Sequence, residues 1–217
     1  MKLSNAPCRA PVLLAGLLCL SGCFAKIVAN KDVTSLADLG SDQILVVGKI
    51  ELLRPLVEHE QILKSRTVSA LKDKAYLVMD KEGYDLNNIP VMAANKATGA
   101  VTLGKTFFLA VNRGQTLRYS GGAIVINDAA MFRGNTLGGI YGIWNLIGTD
   151  HFRLPGGLKY SYAKTDRAVY IGTLQYHRDD FNAITNVKIK DEYAQANAEL
   201  KSKYGPQFAL KRLTPEK

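Results

Sequence analysis

The chain has 217 residues, 47% of them hydrophobic and 22% charged, with 28 Lys and Arg against 19 Asp and Glu. That apolar fraction excludes an intrinsically disordered chain, and a mean hydropathy of -0.03 excludes a polytopic membrane protein. The length is that of one domain, or at most two small ones.

Lys2 and Arg9 put positive charge at the N-terminus, Pro11 to Leu20 is a short apolar run, and Ser21, Gly22 and Cys23 follow. A basic start, a short apolar stretch and small residues are the parts of an export signal. The run is about half of the ~20 residues that span a bilayer. Leu20-Ser21-Gly22-Cys23 resembles the lipobox of bacterial lipoproteins. The resemblance implies cleavage before Cys23, a diacylglyceryl group on its sulfur and a palmitate-type acyl group on its new amino terminus. Phe24, where Asp would retain the protein, resembles the pattern of lipoproteins sent to the outer membrane. Several acyl chains, at about 0.8 kcal/mol per buried CH₂, make a firm anchor.

Cys8, Cys19 and Cys23 are the three cysteines, so a chain starting at Cys23 keeps one. It holds no intramolecular disulfide, and a cysteine nucleophile or cysteine metal site is excluded. Loss of Lys2 and Arg9 lowers the net charge from +9 to +7.

Gln43 to Leu53 is rich in Ile, Val and Leu and predicts a buried strand ended by Arg54-Pro55. Lys74 to Asp80 predicts a second strand, stopped at Lys81-Glu82-Gly83. Thr106 to Val111 and Thr116 to Ile126 flank Asn112-Arg113-Gly114 and predict a hairpin. In a second predicted hairpin, Leu158, Tyr160 and Tyr162 alternate with Lys159 and Ser161 before a turn at Thr165-Asp166. On its return strand Tyr170, Gly172, Leu174 and Tyr176 share one face, and Val169, Ile171 and Thr173 the other. Apolar residues on both faces place that strand centrally. Thr185, Val187 and Ile189 continue on one more strand.

Asp191 reads as the N-cap of a helix over 191–204, with Tyr193, Ala196, Leu200 and Tyr204 on one stripe and Gly205-Pro206 ending it. Ser35 to Leu39 reads as a short helical turn. The expected fold is mainly β: a single antiparallel β-sandwich or partial barrel with one C-terminal α-helix. The expected organisation is a signal peptide over 1–22, a lipidated N-terminus and tether over 23–41, a β-rich domain over 42–205 and a loosely held tail over 206–217. Ala168 to Thr173, followed by a strand, Asp191 and a short helix, resembles the C-terminal end of small β-rich lipoproteins of unknown function. That resemblance implies a fold type and no chemistry.

Gly99-Ala100-Val101-Thr102-Leu103-Gly104-Lys105-Thr106 satisfies the phosphate-loop formula G-x-x-x-x-G-K-[ST]. The motif works only when a helix begins at the Lys. Here strand-like Phe107 to Val111 follows, so nucleotide binding is not expected. Ser69-Ala70-Leu71-Lys72 matches S-x-x-K but lacks the companion motifs of penicillin-recognising enzymes. Glu58-His59-Glu60 and His177-Arg178-Asp179-Asp180 each offer metal-ligand types. Adjacent residues on an extended chain point apart, so both read as solvated loops, and no metal or other cofactor is expected.

Gly134 to Gly157 holds seven glycines with Tyr141, Trp144 and several aliphatics between them, and no charge from Gly134 to Thr149. One reading is an apolar docking surface using Tyr141 and Trp144; the other is an internal hairpin packed over Trp144. Residues 93–157 carry six cations and two anions, with Arg113, Arg118, Arg133 and Arg153 as candidate anion contacts. The expected function is that of a non-enzymatic outer-membrane lipoprotein facing the periplasm, held through lipid on Cys23 and binding another envelope protein. The alternative is a binder of anionic lipopolysaccharide or cell-wall polymer, and the third reading is a periplasmic enzyme. Nucleic acid is not an expected partner.

Overall fold

The computed structural model describes residues 33, 38–61, 73–79, 98–127 and 149–216. Among the described residues nine strands follow in chain order: β1 (Gln43–Leu53), β2 (Lys74–Met79), β3 (Gly99–Thr102), β4 (Thr106–Asn112), β5 (Leu117–Asn127), β6 (Thr149–Tyr160), β7 (Ala168–Arg178), β8 (Ile184–Lys190) and β9 (Leu210–Arg212). One helix, α1 (Tyr193–Tyr204), lies between β8 and β9. The first sheet has the order β4-β1-β7-β8, with β9 also on β7; the second has the order β3-β2-β5-β6. The fold is mainly β, a two-sheet sandwich with one helix, and among the described residues neither sheet closes into a barrel.

The first half of β1, Ile44 to Val47, is apolar because it is covered on both faces. Ile44, Val46, Ile50 and Leu52 point into the core between the sheets. Leu45 and Val47 point the other way, beneath Ala196, Leu200 and Tyr204 of α1. Each fully buried aliphatic side chain of this kind contributes about 1.5–3 kcal/mol relative to exposure. β7 is central, as its sequence predicts, and pairs β1, β8 and β9.

Neither predicted hairpin forms. β4 pairs β1 in the first sheet, whereas β5 pairs β2 and β6 in the second. Residues 113–116 therefore carry the chain across the sandwich, and residues 161–167 carry it back from β6 to β7. Alternating side chains report which face is buried but not which strand is the partner. The two crossings are tied together: the Tyr162 hydroxyl donates to the Gly114 carbonyl at 2.8 Å, and the Gly114 amide donates to the Tyr162 oxygen at 3.0 Å. Crossing twice leaves β7 parallel to β1, and β9 is parallel to β7, so the first sheet is mixed instead of wholly antiparallel.

The faces of β7 also differ from simple alternation. Val169 and Ile171 face the core, and so do Leu174 and Tyr176. The register against β1 shifts between Val47 and Lys49, where Gly172 takes φ 103°. One extra residue in a bulge resets the alternation, sending Leu174 and Tyr176 inward. A Cβ on Gly172 would stand 2.5 Å from Ile189 Cγ2. Only glycine fits both the angle and the space.

Three tyrosines fill the far half of the core. The Tyr176 hydroxyl donates to the Pro155 carbonyl at 2.9 Å and accepts from Tyr119 at 2.8 Å, and Tyr160 donates to the Ile171 carbonyl at 3.2 Å. Burial pushes all three phenols above their ordinary range.

Helix α1 buries the expected stripe, Ala196, Leu200 and Tyr204, but it starts at Tyr193 with Glu192 as N-cap. The Glu192 side chain makes no cap because it is drawn to cations on the sheet, 2.6 Å from Lys49 and 2.6 Å from Lys190. Asp191 still accepts from the Tyr193 amide at 3.0 Å and also pairs with Arg212 at 2.9 Å. Residues 206–216 are not a loose tail. Leu210–Arg212 forms β9, Leu210 and Leu213 are buried, and the Glu216 carboxylate meets Lys159 at 2.8 Å. Two leucines around two cations are too short a pattern to announce a strand.

Candidate functional site

β1 and β7 run side by side and finish together, with Leu53 opposite His177. Past that point the loop 54–61, the β3–β4 turn at 103–105 and the β7–β8 loop at 179–183 form one end of the sandwich. The chain reaches β1 from the opposite end, where residues 38–42, 113–116 and 161–167 gather.

Arg178 holds this end together. Its side chain is 1% exposed and meets Glu60 at two points, Nη1 to Oε1 at 2.9 Å and Nη2 to Oε2 at 2.7 Å. Nε donates to the Arg54 carbonyl at 2.8 Å, Nη2 to the Pro55 carbonyl at 2.7 Å, and Nη1 to Asn182 Oδ1. A planar guanidinium is suited to bridging several acceptors at fixed angles. Glu60 in turn accepts from the Val57 amide at 2.9 Å, closing the short 3₁₀ turn Glu58–Glu60. The two clusters that read as separate solvated loops thus meet through a buried ion pair.

The β7–β8 loop is equally constrained. Asp179 Oδ1 accepts from the amides of Phe181 and Ala183, both at 2.9 Å, and Asn182 takes the left-handed conformation at φ 63°. Asp180 pairs with Arg54. At the tip Phe181 is 91% exposed, and Val57 in the loop 54–61 is 44% exposed. An ordered loop that holds a phenyl ring in solvent forgoes the burial such a ring normally seeks.

Beside these loops lies a cleft of about 300 Å³, lined by Glu51, Leu52, Leu53, Pro55, Leu56, Gln61, Asp73, Leu103 and Gly104. Its lining is mainly aliphatic, with Glu51 and Asp73 as the two acidic residues. The amides of Leu103 and Gly104 donate to Asp73 and Ile50 carbonyls, both at 2.8 Å. The phosphate-loop letters therefore fold as strand, turn and strand, with those two amides already occupied.

A polar strip continues from the cleft over the outer face of the first sheet. Glu51 bonds Lys49 at 2.7 Å and Gln175 at 2.9 Å, and Thr173 bonds Glu192 at 2.8 Å. Hydrogen bonds from Lys190 and Lys49 hold the Glu192 carboxyl down at about 2. Burial alone would lower Lys49, but hydrogen bonds to Glu192 and Glu51 outweigh it and raise its pKa. At the end of the strip His177 Nε2 is buried and, among the described residues, has no hydrogen-bond partner.

Of the sequence-predicted arginines, Arg113 has a structural post. It donates to the Gln43 carbonyl at 3.0 Å, the Lys164 carbonyl at 2.9 Å and the Asp166 carbonyl. Arg118 is half-buried on β5, near enough to Glu216 to help lower its carboxyl pKa after the larger effects of Lys159 and Ser161. Arg153 is exposed on β6, opposite Ala123. Arg118 and Arg153 lie about 17 Å apart along the sheet, five residues of β5. Cys23, Arg133, Tyr141 and Trp144 lie outside the described residues, the last three between Asn127 and Thr149, which pair with each other. Sequence reasoning missed Phe181. The available signal was an aromatic set among the turn formers Asp179, Asp180 and Asn182.

No protein-family model, curated protein or solved structure matches the chain. Among the described residues no helix is long and apolar enough to cross a membrane, and no three His, Cys, Asp or Glu gather as a metal site.

Proposed function

We propose that this protein is a non-enzymatic lipoprotein of the cell envelope, attached to the outer membrane through lipid on Cys23 and facing the periplasm, where it docks another envelope protein. The lipobox-like residues Leu20 to Cys23 support the anchor. The observation that carries docking is the loop end braced by Arg178, which presents Phe181 to solvent from an ordered backbone. Such preorganisation lowers the entropy cost of association. Val33 packs with α1 and the first half of β1, and its carbonyl accepts from the Tyr204 hydroxyl at 2.8 Å. From Leu45 to Leu53 the strand advances about 26 Å, so the loop end lies well away from the place where the tether joins the domain.

The test is membrane fractionation of the full chain and its Cys23→Ser variant, with intact-mass measurement of the mature N-terminus. The native chain is expected in the outer-membrane fraction carrying acyl mass, and the variant in the soluble fraction. A native chain without acyl mass ends the lipoprotein reading.

A further inference from the structure

Phe181 and the acidic loops around it define a docking surface, and we infer that its occupant is an envelope protein whose apolar pocket is rimmed by Lys or Arg. This rests on the proposed envelope location and goes further by naming the surface and the chemistry of its partner.

Two observations carry it. The first is a ring with almost no burial, held still. Phe181 is 91% exposed, yet its loop is fixed by Asp179 Oδ1, and Asn182 is bonded to a guanidinium with 1% exposure. Rigid aromatic anchors that fill a partner's pocket dominate binding energy at protein interfaces. The second is charge. The chain carries a net +9, but the two loops around Phe181, 54–61 and 178–183, carry four anions, Glu58, Glu60, Asp179 and Asp180, against two cations, Arg54 and Arg178. An acidic patch on a basic protein selects a basic rim. The same charge disfavours an anionic membrane surface, and it disfavours a second copy, which would bring two acidic ends together.

The experiment places a photo-crosslinking amino acid at position 181 of the full-length chain in cells, with position 115, exposed at the opposite end of the sandwich, as control. The expected result is one discrete heterologous adduct from position 181, absent from position 115, whose crosslinked partner peptide contains Lys or Arg. Glu58→Lys, at an exposed position, is expected to reduce the adduct severalfold, with thermal unfolding of the purified variant unchanged. Adducts to lipid alone, a homodimer adduct, no adduct, or an adduct insensitive to charge reversal would each overturn the inference. Acyl mass on the same samples keeps the two readings separate. An adduct on a chain without acyl mass leaves the docking surface standing and removes the lipoprotein.

Discussion

The Arg178 guanidinium and the Glu60 carboxylate, 118 residues apart in the chain, meet at 2.9 and 2.7 Å in a pair with almost no solvent on the arginine side. The pair joins the end of β7 to the loop that leaves β1, and Arg178 extends it to the Arg54 and Pro55 carbonyls.

Removing one partner leaves a buried charge, so Glu60→Gln should destabilise the fold by about 3 kcal/mol. Arg178→Met with Glu60→Leu should recover only part of that loss, because it also takes the donor from the Arg54 and Pro55 carbonyls. Urea unfolding checks both, as a shift of midpoint at constant slope. A loss under about 1 kcal/mol for Glu60→Gln would show that the backbone carbonyls alone suffice for Arg178.

The Glu192 carboxyl is held at about 2 when folded, against an ordinary value of 4.5. Its folded pKa is depressed, so its stabilisation is fully present above the unfolded value and is lost as pH falls from there through about 2. Thermal midpoints of the native chain should therefore fall more steeply between pH 5 and 2, the window set by these two values, than those of Glu192→Gln. Parallel slopes for the two proteins would remove Glu192 from the acid response.

Gly172 and Gly104 separate angle from space. Both have positive φ, at 103° and 70°, but a Cβ on Gly104 meets nothing within 4 Å. Gly104→Ala should cost about 1 kcal/mol from the left-handed backbone alone. Gly172→Ala should cost distinctly more, about 2–3 kcal/mol, because it also displaces Ile189. Equal losses in denaturant melts would mean that the bulge yields freely.

In the tyrosine cluster the direction of donation sets an order. Tyr176 donates to the Pro155 carbonyl, so Tyr119 must donate to Tyr176. Tyr176→Phe strands both the Tyr119 hydroxyl and the Pro155 carbonyl, and should cost about 1–3 kcal/mol. Tyr119→Phe leaves the Tyr176 donor satisfied and should cost less. The reverse order in equilibrium unfolding would contradict this network.

Much of the secondary structure was legible. Gln43 to Leu53 is β1 at both ends, Lys74 to Asp80 is β2 to within one residue, and the helix stripe buries Ala196, Leu200 and Tyr204. These readings rest on side-chain period, a local property that follows directly from which face is buried. Asn112-Arg113-Gly114 shows the limit. Its turn residues announce a change of direction but cannot say whether the chain turns back in its sheet or crosses to the other. The candidate site was less legible: Arg178 and Glu60 were both noticed, each among residues read as a solvated loop.

From its own residues the chain determined a mainly β body, a helix packed on it and the burial of the Ile- and Val-rich part of β1, because hydrophobic period is written locally. Tertiary structure alone decided the parallel pairing of β1 with β7, the bulge that reverses the faces at Gly172, and the encounter of Arg178 with Glu60 beneath Phe181. Each of these depends on two segments far apart in sequence occupying one place. Neither segment alone carries the sign of the other's approach.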